Sequence, residues 1–218
     1  MIVARHAAWA EKVFHLYVTG LFQRHFHAMR LLGEPPRAEP NLPLLLLPNH
    51  STWWDGFFIH LLNKKIFLRR PYVMMLEEQL VRYPFFTRVG VFSIDPKSPA
   101  SMRASLRYAA NVLRDPQNLL AIFPQGELRP WDKRPLGYKR GLEVILKLHT
   151  GPVNLLPLAI RAEFLGEQKP SVFFMFGENL PVDYSSFAGM AWLEKREEEA
   201  LEKLRAMIVS GERGTKLL

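Results

Sequence analysis

The sequence has no cysteine among its 218 residues. This absence excludes disulfide bonds, thiolate metal sites and a cysteine nucleophile, and it is most easily reconciled with a reducing cytoplasm. Long apolar runs are also absent. A spanning helix needs about 18 consecutive apolar residues, whereas the longest uncharged stretch near the amino terminus, residues 13–23, has 11. No signal-peptide pattern is present, so we expect any membrane association to be peripheral.

Several common catalytic patterns are absent as well. There is no Walker A or Rossmann glycine pattern, no Gly-x-Ser-x-Gly nucleophile elbow and no His-Glu-x-x-His zinc motif. His25 and His27 are two positions apart, so on a helix they would face different directions. We therefore expect no metal site.

What the sequence has in excess is positive charge. Lysine and arginine number 29 against 21 acidic residues, which gives a net charge of +8. Such a balance favours an anionic partner: nucleic acid, a membrane surface or an acidic substrate. The hydrophobic content of 48% and charged content of 23% are typical of a globular chain, and the length fits one domain.

Residues 1–32 are predicted to form an amphipathic helix. They contain no proline, and apolar residues recur at steps of three and four: Val3, Ala7, Ala10, Phe14, Tyr17 and Leu21. Basic residues and histidines lie beside this stripe, and Trp9 and Tyr17 suit a membrane interface. The stripe could pack on the protein's own core or bind a membrane surface. The proline-rich stretch 33–43 is typical of a linker.

Beyond residue 43, short apolar runs alternate with helical patterns. Strands are predicted at 44–47, 73–75, 91–94, 119–123, 155–160 and 172–176, and helices at 53–62, 98–113, 139–148 and 188–209. This alternation indicates an α/β fold with a mostly parallel central sheet flanked by helices. We predict one such domain at residues 39–218, preceded by a helical segment and linker at residues 1–38.

A histidine and an aspartate follow the first of these strands, in the segment Asn49-His50-Ser51-Thr52-Trp53-Trp54-Asp55-Gly56. Five positions apart on a regular helix they would diverge, so they can meet only if His50 lies in the turn and Asp55 in the first helical turn. An aspartate bonded to one imidazole nitrogen leaves the other as a general base. The alternative is that His50 is a polar turn residue and Asp55 a helix cap.

A second motif, Phe123-Pro124-Gln125-Gly126-Glu127-Leu128-Arg129-Pro130, also lies at the end of a predicted strand. Ligands in open α/β sheets collect at the carboxyl ends of strands, so we expect both motifs to share a cleft. Gly126 would permit close backbone approach to a ligand, and Arg129 could bind phosphate or carboxylate. A simple turn is the alternative.

Two segments, residues 64–70 and 129–140, each carry a local charge of +4. Together they account for the whole excess of positive charge, and we expect both to flank the candidate site. Solvated surface is the alternative interpretation for each segment. Their glycine neighbours, Gly126, Gly137 and Gly141, favour a pocket beside the second one.

The ordered set of motifs resembles the glycerolipid acyltransferase family, whose type members convert lysophosphatidate to phosphatidate. The family's Asn-His-x-x-x-x-Asp motif matches Asn49, His50 and Asp55, and its Phe-Pro-Glu-Gly-Thr-Arg motif is approximated by residues 123–129. Matches between and after these motifs, listed in chain order, are Arg70-Pro71, Leu80 to Pro84, Gly90 to Asp95, Lys139 to Gly141, Pro157 and Gly177-Glu178. The resemblance spans residues 42–182.

The resemblance implies an O-acyltransferase that moves a fatty acyl group from acyl-CoA or acyl carrier protein to a hydroxyl of a 1-acylglycerol-3-phosphate-like lipid. His50 would be the general base, oriented by Asp55. The residues expected to bind substrate are Asn49, Gly126, Glu127, Arg129, Lys139 and Arg140. No metal and no cofactor beyond the acyl donor is implied.

Two departures from the family pattern affect the acceptor. The second-motif arginine, which the family associates with the acceptor's phosphate, is replaced in the pair Asp95-Pro96. The third-motif glutamate is Gln125, with an acid two positions later at Glu127. A glycolipid or other non-phosphate lipid alcohol is therefore the alternative acceptor.

The resemblance also bears on location and partners. Because such enzymes act on acceptors in a bilayer, we expect residues 1–32 to bind the membrane surface and the protein to lie on its cytoplasmic face. A catalytically inactive lipid-binding protein is the alternative of another class, although the intact His50 and Asp55 argue against it. We expect no nucleic acid partner, because the tryptophans cluster at the histidine motif and not among basic residues.

Overall fold

The computed structural model describes all residues from Met1 to Leu218. In chain order the elements are α1 (Ala8–His25), β1 (Ala28–Leu31), β2 (Leu44–Pro48), α2 (Asp55–Leu62), β3 (Arg70–Leu76), α3 (Glu77–Arg82), β4 (Val91–Ile94), α4 (Pro99–Val112), β5 (Asn118–Ala121), α5 (Gly141–Leu148), β6 (Val153–Glu163), β7 (Ser171–Phe176), β8 (Leu180–Val182), α6 (Met190–Val209) and β9 (Thr215–Lys216). A π-helical segment, Asn63–Phe67, follows α2, and a 3-10 segment, Pro84–Val89, follows α3.

One nine-stranded sheet forms the centre of the molecule, with the strand order β4-β3-β5-β2-β6-β7-β1-β9 and β8 paired to β6. The five strands from β4 to β6 are parallel, and β7, β8 and β9 are antiparallel to their neighbours in β6 and β1. The predicted α/β class with a mostly parallel sheet is therefore confirmed.

The two faces of the sheet are covered by different helices. Leu44 and Leu46 of β2 face α1 and α2, whereas Leu45 and Leu47 face α4 and α5. All four leucines are fully buried, because a parallel strand covered on both faces needs apolar side chains at every position. This three-layer packing fixes β2, whose carboxyl end carries the histidine motif.

The amino-terminal segment differs from its prediction. The helix ends at His25, not near residue 32, and residues 28–31 form β1, which pairs in parallel with β7. The buried stripe of α1 consists of Ala10, Phe14, Val18 and Phe22, while Tyr17 is 59% exposed. Helix α1 and strand β1 are thus part of the same packed unit as the residues that follow the linker.

Candidate active site

The two sequence motifs lie side by side at one edge of the sheet. Strands β2 and β5 are parallel neighbours, with Leu46 opposite Ala121. Because both strands run in the same direction, the loops that follow them leave the sheet at the same edge. The backbone N–H of Arg129 donates to the carbonyl of His50 at 2.9 Å, so the two loops are joined directly. The two motifs are therefore adjacent, as a shared site requires.

His50 and Asp55 form a hydrogen-bonded pair. The distance from His50 Nδ1 to Asp55 Oδ2 is 2.8 Å. His50 lies in the turn after β2, and Asp55 is the first residue of α2, which is the arrangement required by their spacing. The aspartate is 1% exposed and the histidine side chain 26% exposed. The pair is therefore buried at its carboxylate end and open at its imidazole end.

The Asp55 carboxylate is held on all sides. Its Oδ2 also accepts hydrogen bonds from the backbone N–H groups of Ser51 and Thr52, at 2.8 and 2.9 Å, and its Oδ1 accepts one from the Thr52 hydroxyl at 2.6 Å. Hydrogen bonds to a charged acceptor are stronger than neutral ones, and the amino terminus of a helix favours negative charge. These contacts fix the carboxylate and, through it, the imidazole ring.

The imidazole ring of His50 is fixed from a second side by Phe123. The two rings stack with their centroids 4.2 Å apart and an angle of 28° between their planes. Nε2 of His50 makes no hydrogen bond to the protein, in contrast to Nδ1. The ring is thus oriented by Asp55 and Phe123 with one nitrogen free to meet a ligand proton.

Gln125 supports His50 in a way that sequence reasoning missed. Its side chain is 1% exposed, and its Oε1 accepts the backbone N–H of His50 at 2.5 Å. In the sequence, Gln125 is distinguished only as a departure from the family pattern. Its position one residue before Gly126, at the carboxyl end of the neighbouring strand, was the available signal. The amide oxygen of Gln125 is therefore the hydrogen-bond acceptor for the main-chain N–H of His50.

Asn49, predicted to bind substrate, is used by the protein itself. Its side chain is 1% exposed, its Oδ1 accepts the N–H of Ile160 at 2.7 Å, and its Nδ2 donates to the Ile160 carbonyl at 3.1 Å and to Ser51 Oγ at 3.2 Å. These bonds tie the end of β2 to β6. Asn49 therefore positions the turn that carries His50, and its polar atoms do not face an open site.

Gly126 and Lys139 lie against each other in the loop after β5. Gly126 has a φ of +67°, and a Cβ atom there would stand 3.0 Å from the Lys139 side chain. The N–H of Gly126 donates to the Phe123 carbonyl, and that of Lys139 to the Pro124 carbonyl. Glycine is needed for this backbone conformation, which brings a lysine chain over the turn.

Glu127 and Arg129 form an ion pair with each other. Arg129 Nη2 and Nε lie 2.6 and 3.0 Å from Glu127 Oε1, and Nη1 donates to the Pro135 carbonyl at 3.4 Å. The guanidinium group also packs on Gly137, and it lowers the pKa of Glu127 by hydrogen bonding and charge. Glu127 and Arg129 thus both lie in the loop that is hydrogen-bonded to His50, and their charges are paired with each other.

Arg140 does not converge on His50. Its side chain is 83% exposed and pairs with Glu143 on the first turn of α5, at 3.0 Å. That pairing raises its pKa further. Lys139 therefore lies beside the turn at Gly126, whereas Arg140 lies in solvent at the start of α5.

The expectation that both basic segments flank the site is wrong for residues 64–70. Arg70 is paired with Asn118 at the amino end of β5, whereas His50 follows the carboxyl end of β2. In a parallel sheet these are opposite edges. Only the segment 129–140 shares the edge with His50.

Helix α6 holds the loop that carries Arg129 and Lys139. Glu194 accepts the N–H of Gly137 at 2.5 Å, and Glu198 accepts that of Leu136 at 3.1 Å. Between them on the helix, Glu197 is fully buried with no hydrogen-bond partner for either carboxyl oxygen, and burial raises its pKa to about 8. Tyr138 beside these acids is half-buried, with its hydroxyl group inside the protein, and desolvation raises its pKa.

The structure has no metal-binding cluster and no membrane-spanning helix. No group of three or more histidine, aspartate or glutamate side chains is arranged to hold a metal ion. None of the six α-helices combines the length and apolar character that crossing a bilayer requires.

Comparison with known proteins identifies the family to which this chain belongs. A model of the acyltransferase family matches residues 27–163, and the chain belongs to that family. The protein is therefore an acyltransferase, as the sequence motifs predict.

A solved structure shares the fold over nearly the whole chain. It is the 1-acyl-sn-glycerophosphate acyltransferase PlsC from Thermotoga maritima, with a TM-score of 0.61 and 17% sequence identity. The alignment covers 94% of this chain and 81% of that one. No curated protein matches the chain.

Proposed function

We propose that the protein transfers a fatty acyl group from an acyl thioester, carried by coenzyme A or acyl carrier protein, to the hydroxyl of a lysophospholipid of the 1-acylglycerol-3-phosphate type. The observation that carries the proposal is the His50–Asp55 pair, joined at 2.8 Å with the far imidazole nitrogen open at the carboxyl edge of the sheet. Membership of the acyltransferase family supports the reaction class, and PlsC, which shares the fold, acts on a 1-acylglycerol phosphate.

The proposed reaction uses His50 as the general base. Its neutral ring, with the proton on Nδ1 directed to Asp55, accepts the acceptor's hydroxyl proton at Nε2 while the oxygen attacks the thioester carbonyl. The carbon–sulfur bond then breaks, and the imidazolium returns the proton to the leaving thiolate. The buried Asp55 carboxylate stabilises the imidazolium that exists between these two proton transfers.

The loop after β5 supplies candidate donors for the negative oxygen of the tetrahedral intermediate. Preorganised backbone N–H groups are suited to this role. The N–H of Gly126 is already donated to Phe123, so we assign the role to its neighbours Glu127 and Leu128, whose N–H groups have no acceptor in the protein. Gly126 then serves to shape the turn that presents them.

Anionic groups of donor or acceptor would bind beside this turn. The Lys139 side chain lies over Gly126, and the main-chain N–H of Arg129 is hydrogen-bonded to the His50 carbonyl. The Arg129 guanidinium is paired with Glu127, so an incoming phosphate or carboxylate competes with that carboxylate. We assign the main role in anion binding to Lys139, with Arg129 second and Arg140 at the periphery.

A non-phosphate lipid alcohol is the second candidate acceptor. The observation that favours it is Asp95-Pro96, where the resembled family has an arginine associated with the acceptor's phosphate. This pair follows β4, so it leaves the sheet at the same edge as His50. Lys97, the next residue in the chain, is exposed and is the first positively charged residue after the missing arginine.

We further propose that α1 lies on the cytoplasmic face of a membrane. One side of α1 packs on the core, while Trp9, Val13, Leu16 and Tyr17 are each more than half exposed on its other side. Their spacing of four, three and one forms a second apolar stripe. Trp53, within the histidine motif, is 64% exposed and provides an apolar side chain close to the site. An acceptor in the bilayer would then lie close to His50.

The experiment that tests the proposed function offers the purified protein a panel of lysophospholipids and glycolipids, each with acyl-CoA and with acyl carrier protein as donor. Mass spectrometry of the products identifies donor and acceptor together. We expect acylated lysophosphatidate to dominate. Acylation of the glycolipids alone would establish the second candidate, and no acyl transfer to any acceptor would contradict the proposal.

A further inference from the structure

A cleft of about 490 Å³ lies at the opposite edge of the sheet from His50. Its walls come from the start of α1, the π-helical segment and the start of β3. Arg70, in the wall of the cleft, pairs with Asn118 of β5, and the register of β2 on the other side of β5 places residue 43 opposite the same Asn118. Arg70 and residue 43 are therefore at the same level of the sheet. Pro48, where β2 ends, is five residues beyond that level, or about 17 Å at the usual rise of a strand, and His50 lies in the turn after it. The cleft is therefore separate from the candidate active site.

The cleft carries an excess of positive charge. Of its three cations, only Lys64 has an acidic partner, Glu11, at 3.2 Å. The Arg69 guanidinium donates to main-chain carbonyls, including that of Leu42 at 2.6 Å, and the exposed Arg70 has no acidic partner. Two guanidinium charges are thus left without a carboxylate.

A buried histidine in the same cleft lacks hydrogen-bond partners. The His6 side chain is 8% exposed, and neither ring nitrogen makes a hydrogen bond. Its Nδ1 stands 3.5 Å from Glu11 Oε1 without the geometry of a hydrogen bond. Burial, with the charge of Arg70, lowers the pKa of His6. A buried polar group without a partner is costly, and an anion in the cleft would supply the missing acceptor.

The amino terminus of α1 opens into the cleft as well. Ala8, the first residue of this 18-residue helix, lines it, and the preceding Ala7 gives no side-chain cap. The first N–H groups of a helix have no acceptor within the helix, and its dipole adds partial positive charge. The helix end, the Arg70 guanidinium group and His6 all favour one negatively charged ligand with several oxygens, which is the chemistry of phosphate. The Arg69 guanidinium is held by main-chain carbonyls and adds only its charge.

We propose that this cleft binds the phosphate group of an anionic lipid headgroup at the membrane surface. The lipid source is favoured by an exposed apolar side chain in the wall of the cleft. Leu68 lines the cleft, is 76% exposed and has a φ of +55°, a conformation that costs a leucine energy and is retained at functional positions. Trp9 lies outside the cleft, on the first turn of α1, and is 59% exposed. A phosphate in the cleft would therefore lie beside Leu68 and at the same end of α1 as Trp9, whose side chain suits the headgroup region.

The test uses the full-length protein without acyl donor, so it is independent of the proposed reaction. Flotation is measured with vesicles of phosphatidylcholine alone and of phosphatidylcholine mixed with phosphatidate. We expect Arg70→Gln to weaken binding to the phosphatidate vesicles about 10-fold, since a charged hydrogen bond is lost. Arg107→Gln removes the same charge from α4 on the other face of the sheet, and we expect it to change binding less than about twofold.

Calorimetry with inorganic phosphate separates the two phosphate sources. Heat of binding that is present in the wild type and the Arg107→Gln variant and lost in Arg70→Gln supports the phosphate cleft. If inorganic phosphate binds in this way while both variants bind the phosphatidate vesicles as well as the wild type does, the cleft binds a free anion and the lipid assignment is overturned. Equal losses in both variants in both assays would overturn the site itself. A His6→Gln variant with a native melting curve is expected to follow Arg70→Gln.

Discussion

Replacement of Gln125 tests how the turn that holds His50 is supported. The Oε1 atom of Gln125 is the acceptor for the His50 backbone N–H, at 2.5 Å, and the side chain is 1% exposed. Gln125→Leu keeps the approximate volume but removes this acceptor, which leaves a backbone donor unsatisfied in a largely buried position. Gln125→Glu is the matched control, because it retains an acceptor at the same position.

The expected cost of Gln125→Leu is about 1–3 kcal/mol of stability, the usual penalty for an unsatisfied buried donor. For a domain of this size that corresponds to a decrease in Tm of about 2–12 °C. We also expect the kcat for acyl transfer to fall about 10- to 100-fold, since a misplacement of about 1 Å in a reacting group can cost a factor of 100. Differential scanning fluorimetry and a thiol-release assay measure the two effects.

The control should separate the hydrogen bond from the packing of the side chain. Gln125→Glu is expected to retain most of the wild-type kcat, and it restores the residue type of the resembled family motif. Wild-type kcat and Tm in Gln125→Leu would refute the reasoning. An equal loss of kcat in both variants would also refute it, because it would show that the acceptor atom is not what matters.

Three further predictions concern other parts of the molecule. Asp55→Asn is expected to lower kcat about 1,000-fold or more, measured by thiol release. Burial holds the Glu197 pKa at about 8 in the folded protein, whereas the unfolded chain loses this proton above the ordinary pKa of 4.5. The wild-type Tm should therefore fall from pH 5 to 8, and Glu197→Gln should flatten that profile. Leu16→Gln is expected to weaken vesicle flotation about 10-fold with Tm unchanged, whereas Val209→Gln, also exposed, should not.

Much of the fold was predictable because local patterns and tertiary packing agree. The apolar run 44–47 and the helix that starts at Pro99 after the Ser98 cap are located by residue type alone. Strand β1 was missed because residues 28–31 continue the helical spacing of α1 and become a strand only by pairing with β7. The two-residue β9 likewise depends on its partner and has no sequence pattern of its own.

The candidate site was predictable to the level of the pair His50 and Asp55, because their spacing requires a turn followed by a helix start. The roles of Asn49 and Gln125 were not predictable, because the sequence does not distinguish a buried amide side chain that binds the main chain from one that binds a ligand. The edge on which residues 64–70 lie was predictable, because a segment that precedes a strand of a parallel sheet lies at the amino end of that strand, opposite to the loop after β2. Point variants of α1 are needed for the membrane test, because removing residues 1–32 would also remove the core residues Phe14 and Phe22.

The central claim is that His50 is the general base of acyl transfer. The most direct measurement is the rate of thiol release from an acyl thioester in the presence of lysophosphatidate, for the wild type and for His50→Ala. We expect the variant, with a native melting curve, to lose at least about 100- to 10,000-fold in kcat. Undiminished turnover in a folded His50→Ala protein would contradict the mechanism.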